Sequence, residues 1–160
     1  MLINYLKETM KKTSSAGLIL VMLLVFGVSS GFAQRSKAIN MFKNHINNVV
    51  QKVKETKNPQ KKRSILNNSF DNMLTAFNKA EKMKHLSKKD QAGLNKLSAT
   101  IARKKYELNG THGYKRVSNN QLNDYANYVQ QNVEQASQTI TLSLTAILLI
   151  IILIILLVAL

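Results

Sequence analysis

The stretch that organises the chain lies at its C-terminal end, where residues 140–160 read ITLSLTAILLIIILIILLVAL. None of these 21 residues is charged, and none is Pro or Gly. A helix of that length rises about 30 Å, which matches the hydrocarbon core of a bilayer. Because Leu and Ile surround the helix on all sides, it has no polar face to turn toward water. The stretch therefore predicts a C-terminal transmembrane helix over residues 140–160.

A second apolar run near the N-terminus, residues 18–28, reads LILVMLLVFGV. Eleven residues are few for a bilayer span but typical of the core of a signal peptide. Lys11 and Lys12 precede this run, and the small residues Gly31 and Ala33 follow it. We expect a Sec-type signal peptide over residues 1–33, with Met10 as the alternative start and an uncleaved signal anchor as the alternative outcome.

Residues 34–139, between the two apolar runs, carry three amphipathic helical patterns over residues 36–56, 60–85 and 88–108. Their apolar residues recur at intervals of three or four, which is the helical period. Pro59 separates the first two patterns, because proline disfavours helical geometry in the residue before it. Ser87 is the predicted N-cap of the third helix, and Gly110 is its predicted C-terminal stop.

The fourth pattern begins at Ser118 and Gln121, whose spacing matches a capping box. Its apolar stripe continues from Leu122 to Ile140 and runs without a breaker into the apolar tail. The sequence thus predicts an all-α fold: a small helical bundle in which three amphipathic helices pack on a long fourth helix that continues into the transmembrane helix. In the alternative arrangement, some of these helices lie along a membrane surface.

The charge balance points to anionic partners, since the net charge is +15 and nearly all of it falls between the two apolar runs. Groups of basic residues could form a surface for anionic lipid or an acidic envelope polymer. Taken singly, each group also fits a solvated helical face that keeps the protein soluble. The candidate residues are Lys61, Lys62, Arg63, Lys88, Lys89, Arg103, Lys104, Lys105, Lys115 and Arg116.

Catalytic and metal-binding patterns are weak in this sequence. It has no Cys, and His45, His85 and His112 lack a second ligand at helical spacing. Few acids, no Gly-rich phosphate loop and no nucleophile motif leave little for catalysis. We therefore expect no enzyme activity, no metal and no cofactor. Nucleic acid is a disfavoured partner, because no known nucleic-acid-binding motif accompanies the charge and the chain carries an export signal.

Ser137, Thr141 and Thr145 recur every four residues where the fourth helix enters the apolar stretch. Small hydroxylated residues on one face permit close contact between membrane helices, so this face is a candidate for self-association into a homo-oligomer. Bonds to their own helix's carbonyl groups are the equally weighted alternative.

The sequence as a whole predicts a single-pass envelope protein of the bacterial inner membrane, with its basic bundle exported. Interaction or scaffolding at anionic lipid or envelope polymer is the leading function. A membrane-active protein of the holin-like or pore-forming kind is the alternative.

Overall fold

A computed structural model describes residues 31–83, 86–139 and 142–159 of the chain. Five α-helices and one short 3₁₀ turn make up the regular structure of this part, which contains no strand. The helices are α1 (Gly31–Glu55), α2 (Pro59–Glu81), α3 (Lys88–Asn109), α4 (Leu122–Thr139) and α5 (Leu144–Ala159), and the 3₁₀ turn spans Asn119–Gln121. The predicted all-α helical bundle is confirmed.

The chain divides into two compact units, Met1–Gln34 and Arg35–Leu160. Of the first unit, only the start of α1 belongs to the described residues. The signal-peptide core predicted at residues 18–28 lies outside them, as does the alternative start at Met10.

The ends of α2 and α3 follow the predicted local chemistry. Asn58 caps α2 by accepting a hydrogen bond from the Lys61 backbone N–H at 3.0 Å, and Pro59 occupies the first turn. Ser87 caps α3 by accepting from the Asp90 N–H at 3.1 Å. Gly110 ends α3 in the left-handed conformation at φ 72°, which its missing side chain permits. The three predicted breakpoints are therefore confirmed.

Helix α2 is the centre of the bundle, because α3, α4 and α5 all pack against it. The core contains its large side chains Phe70, Met73 and Phe77, each at most 2% exposed. Facing residues on α3 and α4 repeat at helical spacing, as Leu94, Leu97 and Ile101 do on α3. Helix α1 contributes a buried stripe of its own, formed by Phe42, Ile46, Val50 and Val53.

The fourth helix differs from its prediction at both ends. The Ser118 hydroxyl bonds the side chains of Asn120 and Gln121, and makes no bond to a backbone N–H, so a 3₁₀ turn precedes α4. At the other end α4 stops at Thr139, and Leu142 and Ser143 are not helical. The prediction of one continuous fourth helix is wrong, because Ser143 caps a new helix there by accepting from the Ala146 N–H at 3.2 Å.

The apolar tail turns back onto the bundle, where α5 packs along α2. One stripe of it is buried, consisting of Leu142, Ala146, Ile147, Ile150, Ile151 and Ile154. The 16 residues of α5 rise about 24 Å. Within the described part of the chain, no helix combines the length and hydropathy needed to cross a membrane. The transmembrane helix over residues 140–160 thus stays a prediction.

Candidate functional site

The ten basic residues singled out in the sequence are spread over four places in the fold. Lys61, Lys62 and Arg63 lie in the first turns of α2, Lys88 and Lys89 begin α3, and Lys115 and Arg116 lie in the loop before α4. Arg103, Lys104 and Lys105 lie near the end of α3. Six of the ten are exposed to solvent, namely Lys61, Lys88, Lys89, Arg103, Lys115 and Arg116.

Internal contacts engage the lysines near the end of α3. The Lys104 side chain is 1% exposed, and its ammonium lies 3.0 Å from a Glu107 carboxylate oxygen. It also donates to the Tyr128 hydroxyl at 2.7 Å. Lys105 forms an ion pair with Asp71 on α2. Lys104 therefore holds α3 against α4. Of Arg103, Lys104 and Lys105, only Arg103 is exposed.

Tyr125, the second tyrosine beside Lys104, is buried and lies near a charged carboxylate. Its hydroxyl donates to the Lys104 backbone carbonyl and lies 3.4 Å from Glu107. Burial, followed by the negative charge of Glu107, raises the pKa of Tyr125 above its ordinary value. The tyrosine is thus a neutral hydrogen-bond donor that closes this network.

Arg63 is the basic residue at which α2, α3 and the loop before α4 meet. Its guanidinium donates to the Leu108 carbonyl in the last turn of α3 and to the Val117 carbonyl at 2.6 Å. It also donates to the Asn119 side-chain oxygen at 3.1 Å. All three acceptors are neutral, although the Arg63 residue is only 8% exposed. A nearly buried positive charge here has no carboxylate among the described residues within ion-pair distance.

Arg63 lines an open cavity of about 510 Å³ at this junction, and a second arginine lines it too. Burial, and then the positive charge of Arg116, lower the pKa of Arg63 from its ordinary value. The residues that line it are of polar types and include no acid: Gln60, Arg63, Ser64, Asn67, Arg116 and Asn119. Two like charges therefore face one cavity, which is an arrangement that attracts an anion.

Local backbone geometry places Arg116 beside this cavity. A Cβ added at Gly110 would lie 2.6 Å from the Arg116 Cβ, so only glycine permits the observed approach. The Val117 N–H donates to the Glu107 carbonyl at 3.3 Å and ties the loop to the end of α3. The Asn67 and Asn109 side chains exchange hydrogen bonds at 2.7 and 3.1 Å and join α2 to the same end.

A second polar contact fixes the beginning of the apolar tail. Asp90 is 4% exposed, and its carboxylate accepts from the Ser143 backbone N–H at 2.6 Å. Burial raises the pKa of this carboxyl, but the hydrogen bonds from Ser143 and Ser87 outweigh burial and hold it below its ordinary value. We call this contact the Asp90–Ser143 clasp. It joins the start of α3 to the start of α5.

Only one of the three residues predicted to form a self-association face has a side chain that the structure describes. Thr145 is exposed on α5. Thr141 lies outside the described residues, and of Ser137 only the backbone, in α4, belongs to them. The self-association face stays a prediction.

Sequence reasoning identified Arg63 and Arg116 as basic but did not place them at one cavity. It also missed the neutral lining, although Gln60, Ser64 and Asn67 stand at helical spacing on one face of α2. That polar stripe was the available signal.

The described residues contain no group of three His, Cys, Asp or Glu side chains that could hold a metal ion. Comparison with protein-family models, curated proteins and solved structures found no match. Any functional conclusion therefore rests on the residues and their geometry.

Proposed function

We propose that this chain is a non-enzymatic interaction module of the cell envelope, anchored in the bilayer by residues 140–160 and drawn to anionic lipid by its basic bundle. The observation that carries the proposal is the solvent-facing side of α5. Ile155 is 40% exposed, Leu156 38% and Val158 53%. A contiguous aliphatic surface in water is a mark of a membrane or protein contact.

The docked position of α5 is compatible with exchange into lipid. Its buried stripe is aliphatic, and hydrocarbon tails offer those side chains the same apolar surroundings as the bundle does. In a bilayer the outer face is also removed from water, at about 25 cal/mol per Å². Extension of the helix through residues 140–160 would give about 30 Å, the thickness of the hydrocarbon core.

The exposed basic residues supply the second attraction. Six of the predicted ten face solvent, and each adds about 1 kcal/mol near an anionic membrane at moderate ionic strength. Buried Lys104 takes no part in this attraction, since its charge is held by Glu107 and Tyr128. Export by the N-terminal signal would place this surface on the outer side of the inner membrane. An acidic envelope polymer is the competing partner, and self-association through Thr145 is an added possibility.

The test uses the absence of cysteine from the chain, so that each introduced cysteine is the only one to be labelled. A polarity-sensitive fluorophore at Leu156→Cys reports the outer face of α5, and one at Ile151→Cys reports its buried stripe. Vesicles of phosphatidylcholine with phosphatidylglycerol should shift the emission of the label at 156 to the blue. The label at 151 should emit at a wavelength typical of apolar surroundings both with and without vesicles. Lipids carrying a quencher near the bilayer centre should then quench both.

Three other outcomes have distinct meanings. Emission at 156 that stays characteristic of water in every vesicle would contradict the membrane anchor. Binding that soluble acidic polymer abolishes, at equal charge concentration, would favour the polymer as the partner. Leakage of a trapped dye at substoichiometric protein would favour the alternative of a holin-like or pore-forming protein.

A further inference from the structure

We propose that the cavity lined by Arg63 and Arg116 is a binding site for a phosphate group. The cavity holds about 510 Å³ and is lined by two arginines, two asparagines, a glutamine and a serine. Guanidinium groups bind phosphate through paired N–H donors, and neutral hydroxyl and amide donors complete such sites. No described acid lines the cavity to compete for the arginines.

Unused hydrogen-bond donors at the cavity support this assignment. A guanidinium has five N–H groups, and Arg63 uses three of them on the Leu108, Val117 and Asn119 oxygens. Two donors stay available for a ligand. Ser64 and Gln60 line the same cavity one helical turn apart on α2, and neither side chain makes a hydrogen bond to another described residue. A tetrahedral oxyanion needs several converging donors of this kind.

A purely structural role explains Arg63 but not Arg116. Arg63 donates to a carbonyl in the last turn of α3, where the partial negative charge of the helix end favours a cation. Arg116 contributes nothing to that tie, and its charge lowers the pKa of Arg63. Gly110 nevertheless permits the close approach that keeps Arg116 at the cavity. A bound anion would turn this repulsive pair into two attractive contacts.

The ligand class is a phosphate group with two or more free oxygens, as in inorganic phosphate or the headgroup of phosphatidic acid. The site deepens the proposed function, and rests on it, in that a membrane would present the phosphate as a lipid headgroup. Free phosphate in the surrounding solution offers the same chemistry. The two sources are separated by experiment.

The experiment follows arginine side chains, because the chain has four: Arg35, Arg63, Arg103 and Arg116. The full chain, ¹⁵N-labelled at arginine and held in phosphatidylcholine nanodiscs, is titrated with inorganic phosphate against chloride at matched ionic strength. The Nε–H signals of Arg63 and Arg116 should shift in a saturable way, and those of Arg35 and Arg103 should not. Arg116→Gln should weaken phosphate binding about tenfold, the value of one charge-assisted hydrogen bond.

Lys57→Gln is the matched control, because it removes one exposed charge just before α2 at a residue that does not line the cavity. It should leave the phosphate affinity unchanged. Equal weakening by Lys57→Gln and Arg116→Gln would overturn the site in favour of general charge attraction. So would unsaturable shifts of all four arginine signals. Arg63→Lys keeps the charge but loses the forked pair of N–H donors, and should weaken binding. The melting temperature of each cavity variant verifies that it still folds.

Nanodiscs containing phosphatidic acid supply the lipid arm. If the headgroup is the source, they shift the same two signals in wild type, and Arg116→Gln reduces that shift. If free phosphate is the source, only the titration with inorganic phosphate shifts the Arg63 and Arg116 signals. Blue-shifted emission at residue 156 without either shift would overturn the phosphate site and leave the membrane anchor intact. Saturable binding of phosphate together with water-like emission at residue 156 would overturn the membrane anchor and leave the phosphate site intact.

Discussion

Two contacts of the central helix α2 differ in kind. At its N-terminal end, α2 meets α3 and the loop before α4 through directed hydrogen bonds from Arg63 and Asn67. Along its length it packs against α5, whose buried stripe is aliphatic, and a polar tie of the tail is the Asp90–Ser143 clasp at its start. The first contact specifies a geometry, whereas the second specifies mainly an apolar surrounding.

This difference bears on which part of the molecule can rearrange. Lipid cannot replace the carbonyl and amide partners of Arg63, because hydrocarbon offers no hydrogen bonds. Lipid can replace the aliphatic partners of α5, since burial is not directional. We therefore expect the polar contacts of α3 to persist in every state of the protein and the contact of α5 to depend on its surroundings.

The largest expected effect comes from the buried charge that secures α3 to α4. Glu107→Ala removes the carboxylate that pairs with Lys104 and leaves a buried ammonium with Tyr128 as its remaining side-chain partner. Loss of one member of a buried pair costs about 3–4 kcal/mol of the free energy of unfolding. Urea unfolding followed by circular dichroism measures that loss.

The double variant Lys104→Met, Glu107→Ala is the control for this substitution. With both charges absent, most of the lost stability should return, because an apolar side chain of similar length tolerates the same burial. A cost below about 1 kcal/mol for Glu107→Ala alone would mean that Lys104 reaches solvent and that the pair behaves as a surface ion pair.

The sequence predicted the helix ends better than the helix contacts, and particular residues explain why. Pro59, Ser87 and Gly110 act on their own neighbours, so local chemistry was sufficient to place them. The non-helical Leu142 and Ser143 lie where the Ser143 backbone N–H donates to Asp90, a residue far away in the chain. Nothing in the apolar stripe of residues 122–140 signals that contact.

The burial of Arg63 and Lys104 was beyond sequence reasoning for a related reason. Lysine and arginine are mostly exposed, so the general expectation placed Arg63 and Lys104 on the surface. Both are buried, because oxygen atoms at the end of α3 and in the segment before α4 accept from Arg63, and because Glu107 and Tyr128 bind the Lys104 ammonium. Such partners become visible only when the helices are packed together.

The second prediction concerns the contact between α5 and α2. Ile154 is 2% exposed in the docked helix, and Ile154→Ala should cost about 2–3 kcal/mol in lipid-free buffer, by loss of burial and creation of a cavity. In phosphatidylglycerol vesicles the same substitution should cost little of the bundle's stability, since the docked contact is then absent. Urea unfolding with and without vesicles gives both values.

Ile155→Ala is the matched control, because Ile155 is the next residue along the helix and is 40% exposed when α5 is docked. It should change the lipid-free stability by less than about 0.5 kcal/mol. Equal costs for Ile154→Ala in buffer and in vesicles would show that α5 stays on α2 in both, and would remove the basis for its exchange into lipid.

The smallest effect concerns His45 of α1, which lines a small cavity together with residues of the same apolar tail. His45 lines a cavity of about 50 Å³ with Phe42, Ile151, Ile154 and Ile155, and its Nε2 is buried without a hydrogen-bond partner among the described residues. Burial, and then the positive charge of Lys52, lower the pKa of His45 below its ordinary value. The docked tail therefore favours a neutral imidazole.

The sign of the pH dependence follows from this lowered pKa. In the unfolded chain His45 takes up a proton near pH 6.5, whereas in the folded chain it does so only at lower pH. The unfolded state thus binds more protons between these two values, so stability should fall as the pH drops through about 6.5 toward the lowered pKa. His45→Gln cannot take up that proton and should show a flatter profile of unfolding free energy against pH in lipid-free buffer. Because a charged imidazole is disfavoured in the cavity that His45 shares with Ile151, Ile154 and Ile155, acid should weaken the docked state of α5. Acid should then increase the blue shift of a label at residue 156 in vesicles more in wild type than in His45→Gln. Identical pH profiles of the two proteins would mean that His45 is hydrated when α5 is docked.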